Sequence, residues 1–350
     1  MNSAHSTEYL ATTRLRIGYK GKQGETSIAE TPELSVSPGE FICILGPNGV
    51  GKSTLIRTLA SIQAPLHGSI RLQGAPCNGL SPRERARSIG IVLTESLPIG
   101  MMDAYSFVAL GRHPYTGWLG TLSQADRDRI DWAFKSVNAT GLERRQIVEL
   151  SDGERQKISI ARALAQETPL ILLDEPTAFL DLPRRIELIA TLRNLAHQER
   201  IGVLISSHEL DLALRFADYL WVFTDEKKLV KGYPEELALN GQIANSFASE
   251  QVRWDIERGG FHTQSHSHLK ACVSGSGNYA NWTRRALERL GFTVTGISKN
   301  CVLNIQISEI DKEAHWIVEH EGRKKHYRSI IGLIGWIRSR DWMHTKNHKI

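Results

Sequence analysis

A glycine-rich loop lies between a short apolar run and a helical segment near the amino-terminal end. The loop fits the pattern G-x-x-x-x-G-K-[ST] and directly follows the apolar run Phe41–Leu45. Glycines let the backbone turn tightly enough for N–H groups to point at phosphate oxygens, and the helix start adds a favourable dipole. We therefore expect Lys52 to contact the β and γ phosphates of a nucleotide and the Ser53 hydroxyl to ligate Mg²⁺. The loop residues are Gly46, Pro47, Asn48, Gly49, Val50, Gly51, Lys52, Ser53 and Thr54.

Two acidic residues end a second apolar run, Leu170–Leu173. Carboxylates at the exit of a buried strand are costly without a partner, and a cation is the simplest partner. We expect Asp174 to hold Mg²⁺, directly or through water, and Glu175 to polarise the attacking water as general base. A solvated pair of loop acids is the alternative, and it fits less well in a chain that also carries a phosphate loop.

Apolar strands and helices alternate around these residues. Four runs are short and continuously apolar, as expected of strands buried on both faces of a parallel sheet. They are 41–45, 89–93, 170–173 and 203–205. The helical segments are 53–61, 123–139, 155–165 and 183–196. This alternation predicts a parallel α/β domain.

Length and composition indicate a globular protein of about two domains. The chain has 350 residues, of which 41% are hydrophobic and 23% charged, which excludes disordered and fibrous classes. No run of 18 apolar residues occurs and the first residues lack a signal-peptide pattern, so we expect neither a membrane span nor export. The cysteines lie far apart without a C-x-x-C pair and are expected to be reduced thiols. They are Cys43, Cys77, Cys272 and Cys301.

The basic charge is concentrated in the last ninety residues. From Phe261 onward there are 14 Lys and Arg against 7 Asp and Glu, whereas the first 260 residues hold 29 and 31. A stretch rich in Gly, Ser and His marks the change of composition and is typical of a linker. We predict a domain over 1–258, a linker over 259–268, a small α+β domain over 269–340 and a tail over 341–350.

The smaller domain is predicted to have β-α-β-β-α order. A helix over 281–290 ends at Gly291, and apolar residues alternate with others between Cys301 and Ile307, as in a half-buried strand. The other elements are strands over 269–273 and 316–318 and a last helix over 330–337.

With these motifs the sequence resembles the ATP-binding subunits of ABC transporters. Residues 150–156, LSDGERQ, are similar to the LSGGQ signature of that family and precede the acidic strand. The resemblance covers about residues 8–256 and implies an α/β fold, a P-loop NTPase cassette of ABC type. Such a cassette has a parallel-sheet core and a helical subdomain, here over about 95–160.

The signature resemblance implies a composite site. In the family this segment binds the γ-phosphate of ATP held by the opposite subunit, which would involve Ser151, Gly153 and Glu154. A hydroxyl and a glycine N–H at a helix start suit that task. The chain is therefore expected to form a head-to-tail dimer with a second copy of itself when ATP binds.

Further residues acquire roles through the same resemblance. His208 corresponds to the switch histidine, whose ring would contact the γ-phosphate and Glu175, so that Glu175, His208 and Lys52 form the catalytic group. Asp181 matches the D-loop of the family. Tyr19 matches the aromatic residue that stacks on adenine, although an aromatic residue ending a strand is also common in a core or at its rim.

Two segments depart from the family pattern. Where the family has a glutamine that reaches the metal and the lytic water, this chain has Thr94-Glu95, and Glu95 is the candidate metal contact. In the signature, Asp152 and Glu154 replace Gly and Gln, while the serine and second glycine remain.

The stretch 105–115, YSFVALGRHPY, resembles the helical subdomain of subunits that serve importers of ferric siderophores, haem and cobalamin. The resemblance implies ATP and Mg²⁺ as cofactors, integral-membrane permease subunits as partners, and a periplasmic or surface solute-binding protein as an indirect partner. It also implies a cytoplasmic protein, peripheral on the inner face of the cell membrane, that binds no nucleic acid.

The expected function is ATP hydrolysis that powers an importer, with a ferric siderophore or related iron chelate as cargo. Import of haem or cobalamin is one alternative. A non-transport ABC-type ATPase is another, but such proteins insert a long coiled coil between the motifs or carry two cassettes. Here only about 96 residues separate Thr54 from Ser151, which suits a helical subdomain of ordinary size.

Three functions are open for the smaller domain. It resembles accessory domains of ferredoxin-like type that regulate or stabilise a dimer. Its basic residues, including 323–325 and Arg328, could contact anionic lipid headgroups or nucleic acid. A metal site formed by His262, His266 and His268 is the third alternative.

Overall fold

The computed structural model describes residues 8–22, 24–94, 101–247, 252–256, 259–263, 269–296, 301–310, 313–340 and 342. The chain divides into two compact units, Met1–Phe261 and His262–Ile350. None of the helices in the described ranges is long and apolar enough to cross a membrane.

Strands and helices are numbered here in chain order. The strands of the first unit are β1 (Leu10–Gly21), β2 (Gly24–Glu30), β3 (Ser35–Val36), β4 (Phe41–Leu45), β5 (His67–Leu72), β6 (Ala75–Pro76), β7 (Ile89–Val92), β8 (Leu170–Leu173), β9 (Gly202–Ser207), β10 (Tyr219–Phe223), β11 (Leu229–Gly232) and β12 (Val252–Asp255). Its helices are α1 (Lys52–Leu59), α2 (Pro82–Ser88), α3 (Ala104–Ala109), α4 (Gln124–Ser136), α5 (Asp152–Ala165), α6 (Leu182–Glu199), α7 (Leu210–Phe216), α8 (Pro234–Leu239) and α9 (Gln242–Phe247).

A six-stranded sheet forms the centre of the first unit, with strand order β11-β10-β4-β9-β8-β7. Strands β10, β4, β9, β8 and β7 are parallel, and β11 is antiparallel to β10. Alternate residues of β4 belong to two different apolar cores, with Cys43 in one and Ile44 in the other. Because the strand is buried on both faces, it reads as one continuous apolar run. The strands predicted at 41–45 and 170–173 are confirmed at both ends.

A second, antiparallel sheet packs its apolar residues into one of these cores. Its order is β2-β1-β5-β6, with β3 paired to β1. The other core is shared with the helices α3, α4 and α5, which pack on one another through residues such as Phe107, Phe134 and Ile158. These helices lie in the region where the sequence predicts a helical subdomain.

The segment predicted as a linker, 259–268, begins with ordered structure. A strand β13 (Gly260–Thr263) pairs with β12 in a two-stranded sheet. The Phe261 ring lies 5.1 Å from that of Trp254 and 6.3 Å from that of Phe247. Alternating Phe and Thr among glycine and histidine was a weak strand signal, which the polar composition obscured. Residues 264–268 lie outside the described ranges.

The second unit is an α+β domain with a mixed sheet. Its elements are β14 (Lys270–Ser274), α10 (Gly277–Arg289), β15 (Thr293–Thr295), β16 (Leu303–Ile310), β17 (Glu313–His320), β18 (Arg323–Tyr327) and α11 (Ile330–Arg338). The strand order is β15-β14-β16-β17-β18. Apolar residues of both helices and of alternate strand positions share one core, including Val273, Leu287, Trp316 and Leu333.

This architecture adds two strands, β15 and β18, to the five predicted elements. The ferredoxin-like expectation is not met, because that fold has β-α-β-β-α-β order, whereas here four strands follow α10 in succession. Strand β18, RKKHY, has no apolar alternation to mark it. Glu321 and Gly322, with φ of 50° and 71°, turn β17 into β18, and both angles suit a tight hairpin.

The cysteines of the second unit correct the expectation of four reduced thiols. Cys272 and Cys301 form a disulfide, while Cys43 and Cys77 are free and buried. The pairing arises because β14 and β16 are neighbours, with Ala271 opposite Leu303. A separation of 29 residues in the sequence gave no hint of that adjacency.

Candidate functional site

The glycine-rich loop connects β4 to α1 along the carboxyl edge of the central sheet. Its glycines adopt backbone angles that favour residues without a Cβ, and Gly51, at φ 118°, is the clearest case. A Cβ there would lie 2.5 Å from Ile28 Cγ2, so no larger residue fits. Gly51 also precedes α1 without contributing a side-chain cap. The first N–H groups of the helix therefore point into the loop, where an anion would satisfy them.

Lys52 is held inside this loop. Its side chain is 4% exposed, and Nζ donates to the carbonyl oxygens of Gly46 (2.9 Å) and Pro47 (3.2 Å). Nζ also lies 3.4 Å from Glu175 Oε1. The loop and the carboxylate thus hold a buried positive charge where the sequence predicts phosphates.

Asp174 joins the loop to the acidic strand end. Its Oδ1 accepts hydrogen bonds from Ser53 Oγ (3.0 Å) and Ser206 Oγ (2.7 Å). The carboxylate is almost fully buried. Hydroxyl and carboxylate oxygens are the ligands that Mg²⁺ prefers, so Ser53 and Asp174 fit the predicted metal. Among the described residues no group of three or more His, Cys, Asp or Glu could hold a metal on its own.

Glu175 stands next to Asp174 in an unusual backbone conformation. Its φ is 46°, and its N–H donates to Ser206 Oγ (2.8 Å). Non-glycine residues at positive φ are strained and often occur at functional sites. Glu175 Oε2 lies 3.7 Å from His208 Nδ1. The structure therefore brings together the three predicted catalytic residues, Lys52, Glu175 and His208.

Ser206 is a residue of this site that the sequence did not reveal. It lies in β9 with no solvent exposure, donates to Asp174 and accepts from the backbone of Glu175. A buried hydroxyl needs a hydrogen-bond partner. A serine ending a buried apolar strand was the available signal, but the sequence could not say which carboxylate lies opposite.

Other predicted residues lie around this centre. Tyr19 is half exposed in β1, and its hydroxyl is 3.0 Å from Thr54 Oγ1. Thr94 Oγ1 donates to the carbonyl oxygen of Asp174 (2.8 Å), so the segment that departs from the family pattern contacts the site. The candidate metal contact Glu95 lies outside the described residues, as do His266 and His268.

The signature residues form a second group at the start of α5. Ser151 caps the helix, and a carboxylate oxygen of Glu154 accepts from both Ser151 N (2.9 Å) and Ser151 Oγ (2.8 Å). These bonds, the backbone one first, lower the pKa of Glu154. Buried Gly153 has no room to spare, since a Cβ there would lie 3.1 Å from Leu180 Cδ2. Ser151, Gly153 and Glu154 line a cavity of about 310 Å³ with Leu180 and Arg184.

Asp181 lies at the start of α6, where its side chain accepts from Arg184 N (3.1 Å). Arg184 also lines the cavity of the signature residues. The D-loop position thus adjoins the signature group.

Comparison with known proteins places both units in described families. Residues 30–178 match the family described as ABC transporter, and residues 268–338 match the Iron ABC transporter C-terminal domain. An uncharacterised ABC transporter ATP-binding protein of Methanocaldococcus jannaschii is 42% identical over 236 residues, which are 67% of this chain and 80% of that protein.

Several relatives have names that mention a cargo. A probable siderophore transport system ATP-binding protein of Bacillus subtilis is 35% identical, over 68% of this chain and 86% of its own. The ferric enterobactin transport ATP-binding protein of Escherichia coli is 34% identical, over 66% and 85%. Among solved structures, a dimeric bacterial ABC transporter cassette superposes with a TM-score of 0.57 at 25% identity, covering 64% of this chain and 98% of that one.

Proposed function

The chain belongs to the ABC transporter ATP-binding proteins, and on that premise we propose that it hydrolyses ATP to power the import of a ferric siderophore. The observation that carries hydrolysis is the cluster at the carboxyl ends of β4, β8 and β9. There Lys52, Ser53, Asp174, Glu175 and His208 are connected by contacts of 2.7 to 3.7 Å, through Ser206.

Each residue of this cluster has a separate task in hydrolysis. Lys52 and the loop N–H groups bind the β and γ phosphates. Mg²⁺ held by Ser53 and Asp174 would neutralise phosphate charge. Glu175 accepts a proton from the attacking water as the water oxygen bonds to the γ-phosphorus and the bond to the β–γ bridging oxygen breaks. His208, beside Glu175, is placed to contact the γ-phosphate.

A complete site requires a second copy of the chain. In this proposal Ser151 and Gly153 of one copy bind the γ-phosphate of ATP held in the phosphate loop of the other. The dimeric cassette to which this chain is similar supports that arrangement. ATP then closes the dimer and hydrolysis releases it, so that two states with different affinity for the nucleotide drive the cycle.

A groove beside the site is the expected contact for permease subunits. It has a volume of about 520 Å³ and lies along the end of β7, the segment before α5, and α5 itself, lined among others by Thr94, Val148, Arg155 and Phe179. Val148 and Phe179 are 61% and 70% exposed. Exposed apolar side chains around a groove mark an interaction surface. An integral-membrane permease that docks there would hold the chain at the cytoplasmic face of the membrane.

The proposal of an iron cargo is supported by the names of relatives and by the family match of the second unit. The names of two relatives mention siderophores or ferric enterobactin, and residues 268–338 match an iron transporter domain. Reconstitution of the chain with its permease and solute-binding protein in proteoliposomes tests the proposal. We expect a ferric catecholate or ferric hydroxamate siderophore to stimulate ATP hydrolysis and to accumulate inside. Stimulation by cobalamin or haem alone would overturn the cargo, and absence of hydrolysis would overturn the ATPase.

A further inference from the structure

Arg112 is a buried arginine outside the site described above. It ends a short 3₁₀ turn, Leu110–Arg112, between α3 and α4, and is 5% exposed. Its Nε donates to Asp126 Oδ1 (2.8 Å), and its Nη1 donates to the carbonyl oxygen of Ala165 (2.8 Å) and to Glu167 Oε2 (2.9 Å). A buried guanidinium is retained only where such partners compensate its desolvation.

Gly111 and Tyr115, which flank Arg112, add further contacts to the end of α5. The Tyr115 ring lies 4.1 Å from the guanidinium carbon, and its hydroxyl donates to the Glu167 carbonyl oxygen (3.1 Å). A Cβ on Gly111 would lie 2.3 Å from the carbonyl oxygen of Arg162, so the turn rests directly on the backbone of α5. We refer to Gly111, Arg112 and Tyr115 as the clasp.

The clasp joins the start of α4 to the end of α5. Asp126 lies in the first turn of α4, while Ala165 is the last residue of α5. Hydrogen bonds from Ser123 and then from Arg112 hold the pKa of Asp126 at about 2. The ion pair is therefore charged at physiological pH, and because one planar guanidinium bonds both Asp126 of α4 and the Ala165 carbonyl of α5, it restricts the angle between the two helices.

The anchored end of α5 is the far end from the signature. Ser151 caps the start of this 14-residue helix, which at 1.5 Å per residue is about 21 Å long. A tilt of about 5° at the clasp moves the other end by about 2 Å. Because N–H and O–H hydrogen bonds tolerate only a few tenths of an ångström, such a shift breaks a contact from Ser151 to phosphate.

We propose that Arg112 is a positioning residue for the signature: by fixing the end of α5 against α4, it sets the place of Ser151 opposite the γ-phosphate bound by a second copy. This inference rests on the proposed function, since it assumes that the signature binds ATP in trans. Arg112 acts through α5 and does not touch the nucleotide.

The test compares Arg112→Lys with a matched control in a Glu175→Gln background, in which slow hydrolysis keeps ATP bound. Lysine keeps the charge but cannot reach Asp126 and Ala165 together. The control is Arg127→Lys, because Arg127 lies on α4 next to Asp126 but is exposed to solvent. ATP-dependent dimerisation is measured by sedimentation, and ATP binding to the dilute monomer with a fluorescent nucleotide.

We expect Arg112→Lys to weaken the ATP-bound dimer about tenfold and to leave monomer affinity for ATP unchanged, while Arg127→Lys changes neither. In the wild-type background the same variant should lower kcat about tenfold. A merely structural role would lower the melting temperature but not separate dimerisation from nucleotide binding. Equal dimerisation of parent and Arg112→Lys, or an equal loss in Arg127→Lys, would overturn the inference alone.

Failure of the proposed function would give a different experimental result. If the Glu175→Gln parent forms no ATP-dependent dimer, both the composite site and this inference are overturned. Should Arg112→Lys not fold, Glu167→Gln decides, because the Glu167 side chain is half exposed and its loss spares the core. A dimer weakened about threefold supports the clasp, and an unchanged dimer overturns it.

Discussion

The two units use the faces of their sheets differently. In the first unit β4, β8 and β9 are apolar on both faces, and their polar residues stand at the strand ends. In the second unit the residues of β17 alternate, so that Trp316 and Val318 pack on the core while Ile317 and Glu319 point away from it. A sheet covered on both faces leaves only its edge for chemistry. A sheet covered on one face carries polar groups along its whole length.

This difference predicts where a conservative substitution matters. The strand ends of the first unit carry few polar groups, and these groups are buried and hydrogen bonded to one another. On the polar face of the second unit, Asn304, Gln306 and Lys324 are exposed to solvent. Equal changes in the two places should therefore have unequal effects on hydrolysis.

The largest contrast is expected between Glu175→Gln and Glu319→Gln. The first removes the proposed base and should slow ATP hydrolysis by about 10²- to 10⁴-fold without weakening ATP binding. The second removes a carboxylate from the polar face of β17 and should leave hydrolysis unchanged. Steady-state phosphate release and nucleotide binding measure both variants. Unchanged turnover in Glu175→Gln would refute the assignment of the base.

The second contrast between the two units is the effect of reducing the disulfide. The bond between Cys272 and Cys301 closes a loop of about 30 residues, and opening it should cost the second unit about 3 kcal/mol of unfolding free energy. The first unit, whose Cys43 and Cys77 are free, should be unaffected. Hydrogen exchange with and without reductant reports both units in one experiment. Loss of protection in the first unit would show that the units are not independent.

A smaller effect is expected from pH on the buried ion pair of the first unit. The pKa of Asp126 is about 2, against an ordinary value of 3.8, so its charge contributes about 2 kcal/mol at neutral pH. Because the native pKa is the lower one, this stability is present above about pH 4 and lost as the pH falls towards 2.

Asp126→Asn should therefore destabilise the first unit by about 2 kcal/mol at pH 7, with the difference from wild type shrinking towards pH 2. Asp128→Asn, on the same helix, alters an exposed carboxylate that accepts only from Gln124 in the described contacts and serves as control. Urea unfolding at several pH values measures both. A difference that stays constant from pH 7 to pH 2 would contradict the ion pair.

The smallest contrast compares two serines. Ser206→Ala removes the hydroxyl that orients Asp174 and Glu175 and should lower kcat about tenfold. Ser274→Ala removes a hydroxyl whose bond to the Ile305 carbonyl is long, 3.4 Å, and should not change kcat. If both variants hydrolyse ATP at the wild-type rate, the Ser206 hydroxyl only fills hydrogen bonds at a buried strand end and has no role in hydrolysis.

The parts of the fold that could be predicted share one physical property. Buried parallel strands must be continuously apolar, and the segments 41–45 and 170–173 were recognisable for that reason. The phosphate loop was recognisable because its glycines and lysine serve phosphate geometry directly. Helix α5 starts three residues before the predicted 155, because Ser151 and Glu154 form a capping box that extends it.

What could not be predicted depends on neighbours across the sheets. Strand β18 begins with three basic residues and is defined only by its pairing with β17. The disulfide depends on β14 lying beside β16. Ser206 became recognisable as part of the site only once β9 was placed next to β8. Sequence patterns indicate burial and local turns, whereas β18, the disulfide and the role of Ser206 depend on which strands are neighbours in a sheet.

The cap at the start of α5 has a consequence for the energetics of dimer closure. The Ser151 hydroxyl carries one hydrogen, and in the single chain it is donated to Glu154, whose own negative charge already occupies the positive end of the helix. In the proposed dimer, the γ-phosphate held by the second copy would accept this hydrogen bond in place of Glu154, so binding would exchange one anion for another. The free energy gained at Ser151 would then be only the difference between its hydrogen bonds to the two anions, a weaker closure that favours reopening after hydrolysis.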